Sequence, residues 1–311
     1  MKKLIVIFIL ASVFGLTYGQ NIVYPPEYIR ALTPLWTGER FPDGRPKVSD
    51  NDLKRIESCT LEQIWSFLRG KGFLNQVELN WIILKTGNTM VGRAVTCQYM
   101  PNRPDLDSLI TRIGIREGHS RAGKNTWVID MLTKDDIYVA DGFGKVNEGT
   151  LIGSSLGNSI TGRTGKGVVF YGSIRDMQEL SETDGFNAWI KGHHPSAWRN
   201  MIPTSINAPI RIGEATVFPG DVVFANDYGV VFIPAYLVDE LVAQVGLVDL
   251  RDQFERYMLQ RAEYPASEIH GSWSENMKRL YREWFIAQPD KLSVTLKQID
   301  EYLEGLRQRG R

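Results

Sequence analysis

Arg175 and Asp176 stand side by side just beyond an apolar, β-rich stretch running from Val168 to Tyr171, with Gly172-Ser-Ile174 between. Such a pair is either a surface ion pair that shapes a turn after a strand, or part of a site in which a planar guanidinium donates hydrogen bonds to bound oxygens. Upstream lies Gly149-Thr-Leu-Ile-Gly153-Ser-Ser-Leu-Gly157-Asn-Ser-Ile-Thr-Gly162. Its glycines suit a helix packed closely against its neighbours, and the start of such a helix also offers free amides and a partial positive charge to an anion. Both readings stand at this point. Other candidates carry less. His193 and His194 are adjacent, so on a strand they would face opposite ways and could not easily share one metal; before Pro195 they read as loop. His119 has no supporting partner in the sequence. Asp141-Gly-Phe-Gly144 lacks the third glycine of a dinucleotide fingerprint. Trp65, Trp81, Trp127, Trp189 and Trp198 read as packing.

The elements that would position these groups follow from capping and periodicity. Ser49 with Asp52, and Thr60 with Gln63, have the spacing of helix starts; Leu61, Ile64, Trp65 and Leu68 then share a face. Short β-rich runs follow at Trp81–Leu84, Val91–Cys97, Thr126–Ile129, Ile137–Ala140 and Val168–Tyr171, and again at Ala188–Ile190, Ile210–Ile212, Val222–Ala225 and Val230–Ile233. Strands interleaved with single helices indicate a mixed-sheet α/β core. Beyond Pro234 the pattern turns helical through Leu237–Met258, Asn276–Phe285 and Val294–Leu306, a stretch expected to wrap the core or a neighbouring subunit. Residues 20–48, rich in proline, read as an extended arm over the surface. The resulting division is 20–48 arm, 49–242 α/β domain and 243–311 helical extension.

Four ordered segments resemble one known family. They are Val91-Gly-Arg-Ala-Val-Thr96, Asp136-Ile-Tyr-Val-Ala-Asp141, Gly167-Val-Val-Phe-Tyr-Gly172-Ser-Ile-Arg175-Asp176, and Phe218-Pro-Gly-Asp221 running on to Asn226-Asp-Tyr-Gly229-Val-Val-Phe-Ile-Pro234. Together they look like the regulator of ribonuclease activity A family, which includes the 4-hydroxy-4-methyl-2-oxoglutarate aldolases and proteins long mislabelled as menaquinone methyltransferases. The resemblance implies an α/β sandwich assembled as a homotrimer or hexamer, with sites between subunits. In the aldolase branch it implies Mg²⁺ or Mn²⁺ beside the Arg-Asp pair, so Asp176 becomes the metal ligand and Arg175 the clamp on a 2-keto acid. Gly153, Ser154, Ser155 and Leu156 become the seat of the substrate carboxylate, and Glu179 a candidate for proton transfer. Cleavage of such a substrate passes through a pyruvate enolate whose charge must be stabilised as it forms. Where aldolases carry an acidic residue that helps hold metal-bound water, this chain has Ser154. A serine hydroxyl is neither a carboxylate ligand nor a useful base at neutral pH, so the same pattern also admits a non-catalytic, oligomeric binding protein.

Lys2 and Lys3 precede an uncharged, mostly apolar run of 13 residues, Leu4 to Leu16, and then Thr17-Tyr18-Gly19. That is the form of a signal peptide over residues 1–19, too short to span a bilayer. The expectation is an exported protein, periplasmic or secreted, without stable membrane insertion. Lys plus Arg equals Asp plus Glu at 36 each, so no global field favours nucleic acid. Cys59 and Cys97 allow one bridge if their backbones meet, or two free thiols if not.

Overall fold

In the computed structural model, which describes residues 21–288 and 294–309, the β-rich runs become β1 (Val77–Glu78), β2 (Ile82–Ile83), β3 (Met90–Pro101), β4 (Asp136–Asp141), β5 (Val168–Ile174), β6 (Ala188–His193), β7 (Met201–Ile206), β8 (Ile210–Ile212), β9 (Ala215–Val217), β10 (Val222–Asn226) and β11 (Gly229–Ile233). Nine of them form one mixed sheet in the order β1-β11-β10-β3-β4-β5-β6-β2, with β7 added on β3, while β8 and β9 pair as a separate ribbon. The signal-peptide stretch lies outside the described residues.

The helices are α1 (Pro26–Leu32), α2 (Asp50–Glu57), α3 (Leu61–Gly70), α4 (Pro104–Arg116), α5 (Ser154–Thr164), α6 (Met177–Glu182), α7 (Val238–Arg261), α8 (Ala266–Ile269), α9 (Glu275–Ile286) and α10 (Leu296–Arg309). Helices α2 and α3 start where their caps foretell: Ser49 accepts from the Asp52 amide, and Thr60 and Gln63 form a reciprocal capping box. Strands β3, β4, β5 and β6 run parallel in sequence order, which requires the crossovers that α4, α5 and α6 supply.

Alternation along the strands decides the layers. Tyr138 and Ala140 of β4 point into a core with Ile110 and Ile113 of α4, Ile160 of α5 and Leu180 of α6, whereas Ile137 and Val139 face the β8–β9 ribbon. A third core packs α2, α3 and the first half of α7 against β10 and β11. The mixed α/β architecture and the helical C-terminal region are as the sequence indicates.

Several expectations need correction. Thr126–Ile129 is not a strand: Lys124–Thr126 and Ile129–Met131 are 3₁₀ turns around the fully buried Trp127. A short unbroken apolar run does not distinguish strand from buried turn. His193 is not in a loop but ends β6; His194 follows it and accepts the Ser196 amide through Nδ1. The 20–48 arm is not simply extended, since Pro25 and Pro26 open α1 with proline at the position where no amide is needed. Nor does the arm merely cover the surface. It inserts Arg45, 1% exposed, beside the fully buried Asp136, at 2.8 and 3.1 Å.

Of the C-terminal helices, α7 covers β10 and β11 with its first half, whereas its second half and the helices beyond it do not wrap the sheet. Leu250, Phe254 and Met258 of α7 join Trp273, Met277, Tyr281 and Phe285 in a core of their own. Cys59 and Cys97 are free thiols in different cores; burial pushes them up to about 11 and about 12.

Candidate functional site

The glycine segment and the Arg-Asp pair meet because residues 150–152 run alongside the end of β5. Thr150 bridges Ser173, the Leu151 amide donates to Ser173, and the Arg175 amide donates to the Ile152 carbonyl at 3.1 Å. Gly153 therefore abuts the first residues beyond β5, and α5 starts there. The location is outside the carboxyl ends of parallel strands β4 and β5, where crossover loops diverge and α/β sheets hold ligands.

Within this corner Asp176 Oδ2 accepts the Ser154 amide at 3.0 Å and lies 3.5 Å from both Ser154 Oγ and Arg175 Nε. Oδ1 takes no hydrogen bond among the described residues. The amides of Ser155 and Leu156, in the first turn of α5, have no intrahelical partner and no other among the described residues. Asp176 holds φ 58° and ψ 41°, a left-handed conformation that costs an L-residue about 1–2 kcal/mol. Glycine would adopt it freely, whereas here a residue that carries a carboxylate bears the strain.

Gly153 is required for the close approach. A Cβ built on it would sit 2.3 Å from Asp176 Oδ2 and 2.7 Å from Arg175 Nε. Gly153→Ala should thus push Asp176 off the Ser154 amide. Hydrogen exchange at that amide is expected to quicken about 10- to 100-fold, the measure of a hydrogen bond to a charged group, with Ile160 unchanged deeper in α5. Unaltered exchange at Ser154 would disprove the contact. Close packing also has its place in this segment: Gly157 lies against Leu180 of α6, whereas a Cβ on Gly162 would meet nothing.

A cavity of about 80 Å³ opens here, lined by Gly153, Ser155, Leu156 and Arg175 together with Asn125 and Trp198. Asn125 donates to the Leu151 carbonyl at 2.8 Å. Trp198, read from the sequence as packing, turns a buried indole N–H toward no acceptor among the described residues. Trp198 also borders a wider, open cavity lined by Arg121, Lys124 and Arg199. No spacing signal links these residues to Arg175, because they come from two separate loops.

Arg175, Asp176, Gly153, Ser154, Ser155 and Leu156 are brought together; Glu179 is one turn along α6, exposed, with no side-chain partner among the described residues. His119 stacks on Trp127 at 4.9 Å and does not line the cavity. Among the described residues no group of three His, Cys, Asp or Glu side chains is placed to hold a metal ion. The donor set fits a hard dication that keeps most of its shell as water or substrate oxygens and takes one carboxylate from the protein, with Asp176 Oδ1 as that ligand. It does not fit an all-protein metal cage.

The family model described as RraA-like, Aldolase/RraA, matches residues 47–232. Among relatives, Protein DlpA of Legionella pneumophila is 26% identical over 204 residues, 65% of this chain and 31% of that protein. A protein of Azotobacter vinelandii, provisionally named 4-hydroxy-4-methyl-2-oxoglutarate aldolase, is 27% identical over 106 residues, 34% of this chain. The chain thus spans about a third of the first relative's length and 64% of the second's. Among solved structures, Streptomyces coelicolor RraAS2 superposes with a TM-score of 0.56 at 22% identity, covering 68% of this chain and 98% of that one. A Pseudomonas syringae protein of uncharacterized role gives 0.56 at 18%, covering 72% and 98%. At these identities the structures speak to the fold.

Proposed function

The chain belongs to the RraA-like, Aldolase/RraA family, and from that premise we propose that it is a carbon–carbon lyase for a small 2-keto acid, dependent on Mg²⁺ or Mn²⁺. The reaction is retro-aldol cleavage or decarboxylation of an oxaloacetate-type substrate. One observation carries the reading: Arg175, Ser155 and Leu156, the last two with unpartnered amides, line one cavity, and Asp176 is joined to the neighbouring Ser154 amide and to Arg175. The naming of relatives as aldolases supports the reaction class.

The cavity is sized for a carboxylate and its neighbouring keto group rather than a whole substrate, so the rest of the molecule extends toward Trp198 and the basic residues beyond. The free amides of α5 receive the carboxylate. Arg175 donates to the keto oxygen as negative charge builds there, an interaction that strengthens toward the transition state. Asp176 would hold a dication, which when bound would supply Lewis acidity to the forming enolate. In the retro-aldol direction a base takes the proton of the C4 hydroxyl, the C3–C4 bond breaks, its electron pair enters the enolate, and a proton returned to C3 yields pyruvate. Glu179 is this chain's own candidate for the proton; an acidic side chain from an adjoining subunit is the other, in a homotrimer or hexamer. The charged, apolar and small-residue order of residues 1–19 supports export to the periplasm or medium.

A second reading, a non-catalytic binding protein of the same fold, is favoured by Ser154 and by the engagement of Asp176 Oδ2 with its amide. Purified protein with Mg²⁺ or Mn²⁺ should release pyruvate from oxaloacetate or 4-hydroxy-4-methyl-2-oxoglutarate faster than the metal alone, followed by a lactate dehydrogenase couple. A rate no higher than the metal blank overturns the lyase and leaves the binding protein. If Ser154→Asp then raises turnover, the serine has weakened a metal site.

A further inference from the structure

A cavity of about 550 Å³, sharing no lining residue with the Arg175 corner, lies between the N-terminal arm, the turn after α3 and the end of β11. Its size falls in the range of small-molecule sites. The lining is apolar and aromatic, with Trp36, Phe73, Phe218 and Tyr236, and the large side chains Leu35, Leu74 and Tyr236 are exposed around it. Among these lining residues Asp221 alone carries a formal charge, and Tyr236 is the one other titratable group.

Asp221 is 5% exposed. Its Oδ2 accepts the Phe218 amide at 2.8 Å, and no cationic side chain pairs with it among the described residues. Buried carboxylates are ordinarily paired with a cation. Here burial pushes the carboxyl up from 3.8 to about 7, opposed by the backbone amides of Phe218 and Ala235. With its folded value raised, the group weakens the fold as pH climbs from the usual carboxylate range through about 7. The arm completes the pocket: Gly220, at φ +88°, lets Pro46 lie where a Cβ would be 2.5 Å from its ring.

We propose that this pocket binds a small apolar ammonium compound, its cation paired with Asp221 and its body enclosed by the aromatic rings, which attract cations through their faces. The inference uses no residue of the Arg175 corner and is independent of the lyase reading.

Isothermal titration of the full chain at pH 8 with benzylamine and with benzyl alcohol, its neutral counterpart, tests it. Benzylamine should bind roughly 10- to 100-fold more tightly than the alcohol, the measure of a hydrogen bond to a charged group. Asp221→Asn should erase that preference. Leu74→Lys, at an exposed rim position, should weaken the amine and spare the alcohol, and it keeps the test intact if the aspartate variant fails to fold. Equal binding of the two probes, no binding of either, or a preference that survives both substitutions overturns the proposal. So does concentration-dependent self-association that Leu35→Glu abolishes while benzylamine has no effect, because a second copy of the chain would then be the occupant.

Discussion

Arg175→Ala should lower kcat/KM for pyruvate release about 100- to 1000-fold, the loss found when one donor to a developing oxyanion is removed, while the midpoint of thermal unfolding stays nearly where it was. The side chain is 41% exposed and pairs with Asp176 at 3.5 Å; exposed pairs of this kind contribute about 0–1 kcal/mol to stability. A merely structural pair would show the opposite split, with stability falling and turnover per folded molecule kept. Arg175→Lys is informative because an ammonium keeps the charge without the planar fork. If lysine restores full activity, the guanidinium geometry is irrelevant and the clamp assignment fails.

The second large effect concerns stability. Arg45→Met should cost about 3–5 kcal/mol, the penalty for leaving a buried charge without its partner. Asp136 is fully buried and, among the described residues, its carboxylate is bonded by the two terminal nitrogens of Arg45 and by the amide and hydroxyl of Thr133. Urea unfolding at constant pH measures the loss. The double change Arg45→Met with Asp136→Leu should recover much of it, since an apolar pair of similar volume removes the stranded charge. A single-variant loss below about 1 kcal/mol would show that water reaches Asp136 and that the pair is not sealed.

What could be read in the sequence was whatever local chemistry or short periods determine. Ser49 and Thr60 cap helices through amides three residues away, and β4 reads as an unbroken apolar run between two aspartates, as a strand buried on both faces does. The glycine segment and Arg175-Asp176 were legible as a pair only through resemblance to a family, because the contact of Gly153 with Asp176 depends on residues 150–152 lying along β5. Helix α4 has equally local origins, with Pro104 in its first turn and a buried face through Ile110 and Ile113. Strand β7 contains Pro203, which ordinarily argues against a strand; the register shift at Gln98/Tyr99 on its partner accommodates it. Arg45 left no signal at all, since its partner is 91 positions away.

Helix α7 changes sides as it leaves the sheet. Val238, Leu241, Val242 and Val245 are buried toward β10 and β11, while Leu250, Phe254 and Met258 are buried in the separate C-terminal core. At roughly 100° per residue, the second set is turned by nearly half a revolution from the first, with Gly246 near the changeover. The final helices are thus an outrigger mounted on the outward flank of the strut that joins them to the body. Their melting would leave the sheet's own apolar layers sealed, and any ring of subunits must either accommodate these outriggers or be clasped by them.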